Sequence, residues 1–168
     1  RSGTTVRLFA NGTQTYSFTS SATFLNSTDT LTVGSAGGGY TPMTGYVSNV
    51  RVLKGTALYT TSFTPSTTPL TAVANTTFLS CQSNRFIDNS PYNFTITRNG
   101  DSKVQKFSPF AASTTIPKYY STNFNGSSDY LSLTSQSVLA LGSGDFTVEM
   151  WLYNDYAAIP TNATLFDQ

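Results

Sequence analysis

A chain of 168 residues with a net charge of +1 and only 10% charged side chains lacks the clustered Lys and Arg that a nucleic-acid backbone requires. It contains no histidine, which excludes Cys/His and Ser/His/Asp catalysis and His-containing zinc sites from within it. The single cysteine, Cys81, cannot close an internal disulfide, and no apolar run approaches the roughly 18 residues of a membrane span, so membrane insertion by a helix is not expected.

Short alternating runs broken by turn chemistry predict strands throughout and no sustained helix. Val6 to Ala10 reads as a strand meeting Asn11-Gly12, a two-residue hairpin signal because both positions must accept positive φ. Thr15 to Thr19 returns antiparallel, and a Ser/Thr/Asn loop carrying Asp29 leads to a short strand, Leu31 to Val33. A glycine-rich segment, Gly34 to Gly39, precedes Tyr46 to Leu53, the best strand of the first half. Strict alternation places Tyr46, Ser48, Val50 and Val52 on one face and Val47, Asn49, Arg51 and Leu53 on the other. Arg51 and Lys54 read as a solvated face rather than an anion-binding patch. Thr60 to Thr71 is rich in Thr, Ser and Pro, and Pro65 and Pro69 mark it as a crossing segment. Strands follow at Thr77 to Cys81, Asn93 to Arg98 and Val104 to Phe107, with Asn99-Gly100 as a turn and Cys81 as a small buried hydrophobe. Ser135 to Leu141 is helix-like but too short to stand alone. Phe146 to Tyr153, apolar on both faces, reads as a central strand with Trp151 in the core.

Two segments carry a resemblance. The stretch Gly45-Tyr-Val-Ser-Asn-Val-Arg-Val-Leu-Lys-Gly-Thr-Ala-Leu-Tyr59, followed by Ser62-Phe-Thr-Pro65, resembles the closing strand and exit loop of a laminin-G-like, concanavalin A-like β-sandwich. Phe124-Asn-Gly-Ser-Ser-Asp-Tyr-Leu-Ser-Leu133 and Gly144-Asp-Phe-Thr-Val-Glu-Met-Trp-Leu-Tyr153 resemble its opening strands. The resemblance implies an all-β, jelly-roll-type antiparallel sandwich. Closing strands come before opening strands, so it also implies that residues 1–70 end one module and residues 71–168 begin the next. The alternative is that both halves close as one permuted sandwich, whose sign is contact between Tyr46 to Leu53 and Phe146 to Tyr153 within one chain. The wording of the closing strand is similar to tandem modules of phage and aquatic bacterial structural proteins.

Glycoside hydrolysis, known on this fold, needs two carboxylates about 5 to 9.5 Å apart. Glu149 is the only glutamate, its i+2 neighbour is Trp151, and Asp145 lies about 13 Å away along the strand, so no catalytic residues are assigned. Tyr40, Tyr46 and Tyr59 are the carbohydrate-binding candidates, with Tyr40 beside the glycine loop at a sandwich rim. Calcium sites on the fold use loop carboxylates, which makes Asp29, Asp88 and Asp129 its candidates, against a competing role in capping turns.

The expectation is a non-catalytic structural and recognition module of a larger surface-exposed repetitive protein. Its leading form is a virion appendage such as a phage fibre, tail or decoration protein that meets host cell-surface glycans. Its partners are copies of itself or neighbouring modules, its place the virion or the cell surface, and nucleic acid is not among its ligands. The alternative is a secreted bacterial adhesin or extracellular filament subunit assembled by strand complementation.

Overall fold

Asn11 and Gly12 both take positive φ, 50° and 76°, and the chain reverses there as a two-residue hairpin requires. The flanking strands β1 (Thr5–Ala10) and β2 (Thr13–Thr19) form a separate two-stranded antiparallel sheet. The computed structural model describes residues 1–24, 30–110, 119–155 and 162–168. The remaining strands among these are β3 (Leu31–Val33), β4 (Thr44–Lys54), β5 (Thr76–Ser80), β6 (Thr97–Asn99), β7 (Lys103–Gln105), β8 (Ser121–Asn125), β9 (Tyr130–Leu133), β10 (Phe146–Asn154) and β11 (Phe166–Asp167). Every pairing between them is antiparallel, and no α-helix occurs among the described residues.

One sheet runs β10-β4-β8-β7, with β5 also paired to β4. The other runs β11-β3-β9-β6. Both draw strands from either side of residue 70, and the segments Tyr46 to Leu53 and Phe146 to Tyr153 lie paired within one chain. The two sheets share a core. Leu31, Val33, Leu131 and Leu133 meet Val47, Val50, Val52, Phe78 and Phe124 in one buried cluster, the arrangement of a sandwich. Phe78 and Phe124 are fully buried, each contributing about 1.5–3 kcal/mol of apolar transfer.

β4 departs from strict alternation. Glu149 pairs with Arg51 and Trp151 with Ser48, so β4 carries an extra residue, and within it Asn49 adopts φ 56°. This bulge exchanges the faces: Val47 joins Val50 and Val52 in the core, while Tyr46 and Ser48 share the opposite face with Arg51. Asn49 suits the position because its short amide tolerates a left-handed backbone and makes local bonds. Its Oδ1 accepts from the Leu70 N–H at 2.8 Å and from Gln82 Nε2 at 3.1 Å, and its Nδ2 donates to Ser48 Oγ at 2.7 Å. The bulge also divides the side of β4 away from β10, where Thr44 to Val47 pair with β8 and Val50 to Leu53 pair with β5.

Three other expectations are corrected. Among the described residues β10 lies at the end of its sheet, with β4 as its one strand partner, rather than at the centre. Its two apolar faces arise because Phe146, Val148 and Met150 pack on the core while overlying segments cover the other face. Of Asn93 to Arg98 only Thr97 and Arg98 belong to a strand, β6, since Asn93 turns at φ 50° with its N–H on Ser90 C=O. Ser135 to Leu141 holds a turn, in which the Leu139 N–H bonds Gln136 C=O at 2.9 Å, and Leu139 and Leu141 enter the core.

Candidate functional site

The outer face of the β10-β4 pair, turned away from the core, carries Arg51, Ser48 and Tyr46 from β4 beside Thr147, Glu149, Trp151 and Tyr153 from β10. Alternation along β10 puts its odd-numbered residues there. Trp151 therefore lies outside the core cluster, half-buried, contrary to the expectation of a core indole. The core expectation fails because Trp151 faces the outer side of the sheet, which loop segments rather than a second sheet cover.

Two segments lie across this face. The loop after β4 crosses at one end: the Leu58 N–H donates to Thr147 Oγ1 at 2.8 Å, Thr147 Oγ1 donates to Thr56 C=O at 3.0 Å, and Tyr59 Oη donates to Glu149 Oε2 at 3.0 Å. Tyr59 stacks on Phe63 with ring centres 3.6 Å apart, and Phe9 of β1 meets Phe63 edge-on at 5.5 Å. Burial and the neighbouring Glu149 carboxylate push the Tyr59 hydroxyl above its ordinary pKa. Arg51 is not a solvated charge. Its guanidinium lies 2.6 Å from Glu149 and donates to Thr71 C=O at 2.7 Å, so both charges are compensated under the loop.

At the other end Phe107 packs on Tyr46 with ring centres 4.7 Å apart and on Tyr153 at 4.8 Å, and Phe110 meets Trp151 at 5.3 Å. Tyr153 and Phe107 are each about half exposed, at 51% and 45%. Tyr46, Phe107, Trp151, Leu152 and Tyr153 line a groove of about 130 Å³ that bears no charged side chain among the described residues. Ser121 also lines it and is buried, and among the described residues its hydroxyl has no hydrogen-bond partner. A larger groove of about 610 Å³ separates β1 from β10, and Trp151 borders both.

Of the three candidate tyrosines, Tyr46 lines the smaller groove and Tyr59 the larger, while Tyr40 lines neither. Tyr40 is 74% exposed on the glycine-rich turn, anchored through its carbonyl by Ser35 Oγ and the Ala36 N–H. Phe107 and Tyr153 complete the aromatic face and were not singled out from sequence as binding residues, while Trp151 was assigned to the core. Their signal is the shared parity of Trp151 and Tyr153 with an exposed partner strand.

Asp88 is buried and accepts from the N–H groups of Leu79, Ser90 and Phe94 and from Ser90 Oγ, at 2.7–3.0 Å. Asp129, also buried, accepts from the N–H groups of Asp101 at 2.6 Å and Asn125 at 3.1 Å. Both carboxylates hold turns through backbone donors. Asp29 lies outside the described residues, among which no group of three His, Cys, Asp or Glu side chains stands close enough to hold a metal. Cys81 is buried in the core, and burial pushes its thiol up to about 11. Among the described residues Glu149 is the only carboxylate lining either groove. No family model, curated protein or solved structure matches the chain.

Proposed function

We propose that the chain is a non-catalytic recognition and structural module, a jelly-roll-type sandwich closed from both halves of the sequence. In this reading it presents the aromatic outer face of the β10-β4 pair to neutral sugars of a cell-surface glycan. The observation that carries the reading is the position of Trp151, outside the core and between two grooves, with Tyr46, Phe107 and Tyr153 beside it. Aromatic rings offer an apolar surface to the C–H face of a pyranose, and the absence of charge in the smaller groove suits an uncharged ring.

The pairing of β4 with β10, and the mixing of strands from both halves in each larger sheet, support closure into one sandwich. Glu149 is already held by Arg51 and Tyr59 and, among the described residues, no second carboxylate lines its groove, which supports a role without hydrolysis. The place of the module in a virion appendage rests on the resemblance of Gly45 to Pro65 to phage structural modules and on a charge-poor, Thr-rich surface.

Glycan-array binding followed by titration calorimetry tests the reading. Binding of neutral hexose polymers is expected, weakened at least tenfold by Trp151→Ala or Tyr153→Ala in protein that retains its strand spectrum. Silence across neutral glycans, or binding unaffected by both substitutions, overturns it.

A further inference from the structure

Phe107 sits in a wedge between the two tyrosines of the aromatic face. Its ring centre lies 4.7 Å from that of Tyr46 at 51° and 4.8 Å from that of Tyr153 at 73°, while the two tyrosine rings are 6.0 Å apart at 63°. All three contacts are inclined and none is a parallel stack, so the phenyl ring is held by edge contacts to both walls.

The main chain that carries this ring is fixed only at its two ends. β7 stops at Gln105, which faces Ser121 of β8. Phe110 is buried against Trp151 and Tyr119, and its N–H donates to Ser108 Oγ at 3.2 Å. Between these points, no main-chain hydrogen bond joins Lys106, Phe107, Ser108 or Pro109 to the sheet among the described residues. Phe107 is therefore seated by its ring contacts, with nearly half of its surface in solvent.

The wedge also offers more than a phenyl ring can use. Among the described residues the hydroxyls of Tyr46 and Tyr153 have no hydrogen-bond partner, and Phe107 brings none. A pyranose meets both parts of the wedge. It is a six-membered ring whose C–H face packs on an aromatic wall, and its hydroxyls can donate to and accept from the two phenols.

We propose that Phe107 is an autoinhibitory plug, which occupies the seat of a neutral pyranose between Tyr46 and Tyr153 and swings out when the sugar enters. The movement is confined to the Phe107 side chain and the bend from Lys106 to Pro109, while Gln105 and Phe110 stay in place. The inference rests on the sugar-binding reading and gives that site its regulation. Sugar binds only the fraction of molecules with the ring displaced, so the plug weakens the apparent affinity by that fraction.

The test compares the 168-residue chain with its Phe107→Ala variant by titration calorimetry, using maltohexaose, cellohexaose and mannohexaose as uncharged probes. Phe107→Ala is expected to bind about fivefold more tightly than the parent chain, and Phe107→Trp, which keeps a ring in the wedge, is expected to bind no more tightly. A para-fluorophenylalanine placed at position 107 adds a second readout. Its fluorine signal is expected to lie away from that of a solvent-exposed ring in the free protein and to move to the exposed position at saturating probe. Should Phe107→Ala fail to fold, the fluorinated protein still decides the matter. Binding by the parent chain that Phe107→Ala weakens or leaves unchanged overturns the plug and leaves the sugar reading standing, as does a fluorine signal that stays in place at saturation. Silence of both the parent chain and Phe107→Ala toward all three probes overturns the two together.

Discussion

The Arg51 guanidinium lies 2.6 Å from the Glu149 carboxylate, across two strands from opposite halves of the sequence. The pair sits at 6% and 13% side-chain exposure beneath the loop that carries Tyr59, so it joins β4, β10 and that loop at one point. Removing one partner strands a desolvated charge. Arg51→Met or Glu149→Gln is therefore expected to destabilise the fold by about 3 kcal/mol. The Arg51→Met/Glu149→Met double variant is expected to recover most of that loss, which urea denaturation of all the variants would show.

Asn49 gives a second expectation. Its positive φ and its bonds to Leu70, Gln82 and Ser48 combine backbone strain with side-chain anchoring. Asn49→Gly loses the anchoring but relieves the backbone, whereas Asn49→Ala loses the anchoring and keeps a left-handed backbone that alanine adopts only with strain. The alanine variant is expected to be less stable than the glycine variant by about 1 kcal/mol, measured by thermal unfolding.

The Cys81 thiol supplies a pH dependence. Its pKa rises from an ordinary 9.0 to about 11 on folding, so between these values the unfolded chain has released the proton that the folded chain retains. Stability is fully present below about pH 9 and falls as pH rises to 11, by about 3 kcal/mol from this group. Tyr59, also shifted upward by burial, adds a loss of the same sign above its ordinary value of 10.0. Cys81→Ser is expected to remove the fall between pH 9 and 10 and to leave only the Tyr59 share of the loss above pH 10.

Asp88 gives a fourth. Four donors converge on its carboxylate, tying β5 to the turn that leads to Phe94. Asp88→Ala leaves buried N–H groups of Leu79 and Ser90 without partners and is expected to cost about 3 kcal/mol by urea denaturation. Asp88→Asn keeps one acceptor and is expected to cost less.

Period-two alternation and turn chemistry made much of this fold legible. The Asn11-Gly12 hairpin, the short strand Leu31–Val33 and the strong strands around Val50 and Val148 lie where those patterns place them. The faces of β4 were not legible, because a one-residue bulge reverses parity and its only trace is an asparagine amid valines. The edge position of β10 was hidden for a different reason. Covering loops demand apolar residues much as a second sheet does, so Trp151 looked like core. Tyr46 and Tyr59 were legible as site candidates by residue type, but the grouping of Tyr46 with Phe107 and Tyr153 depends on strands joined across residue 70. Asp88 and Asp129 matched a calcium pattern in residue type, yet their geometry is that of turn anchors.

The pairing of β4 with β10 within one chain underlies the aromatic face. Its most direct test is the nuclear Overhauser contact between the Hα atoms of Val52 and Val148. These residues face each other as a non-hydrogen-bonded pair, with Cα atoms about 4.5 Å apart. A strong Hα–Hα cross-peak that persists on dilution with unlabelled chain is the expected result. Its absence, or its appearance only between labelled and unlabelled chains, would contradict the account.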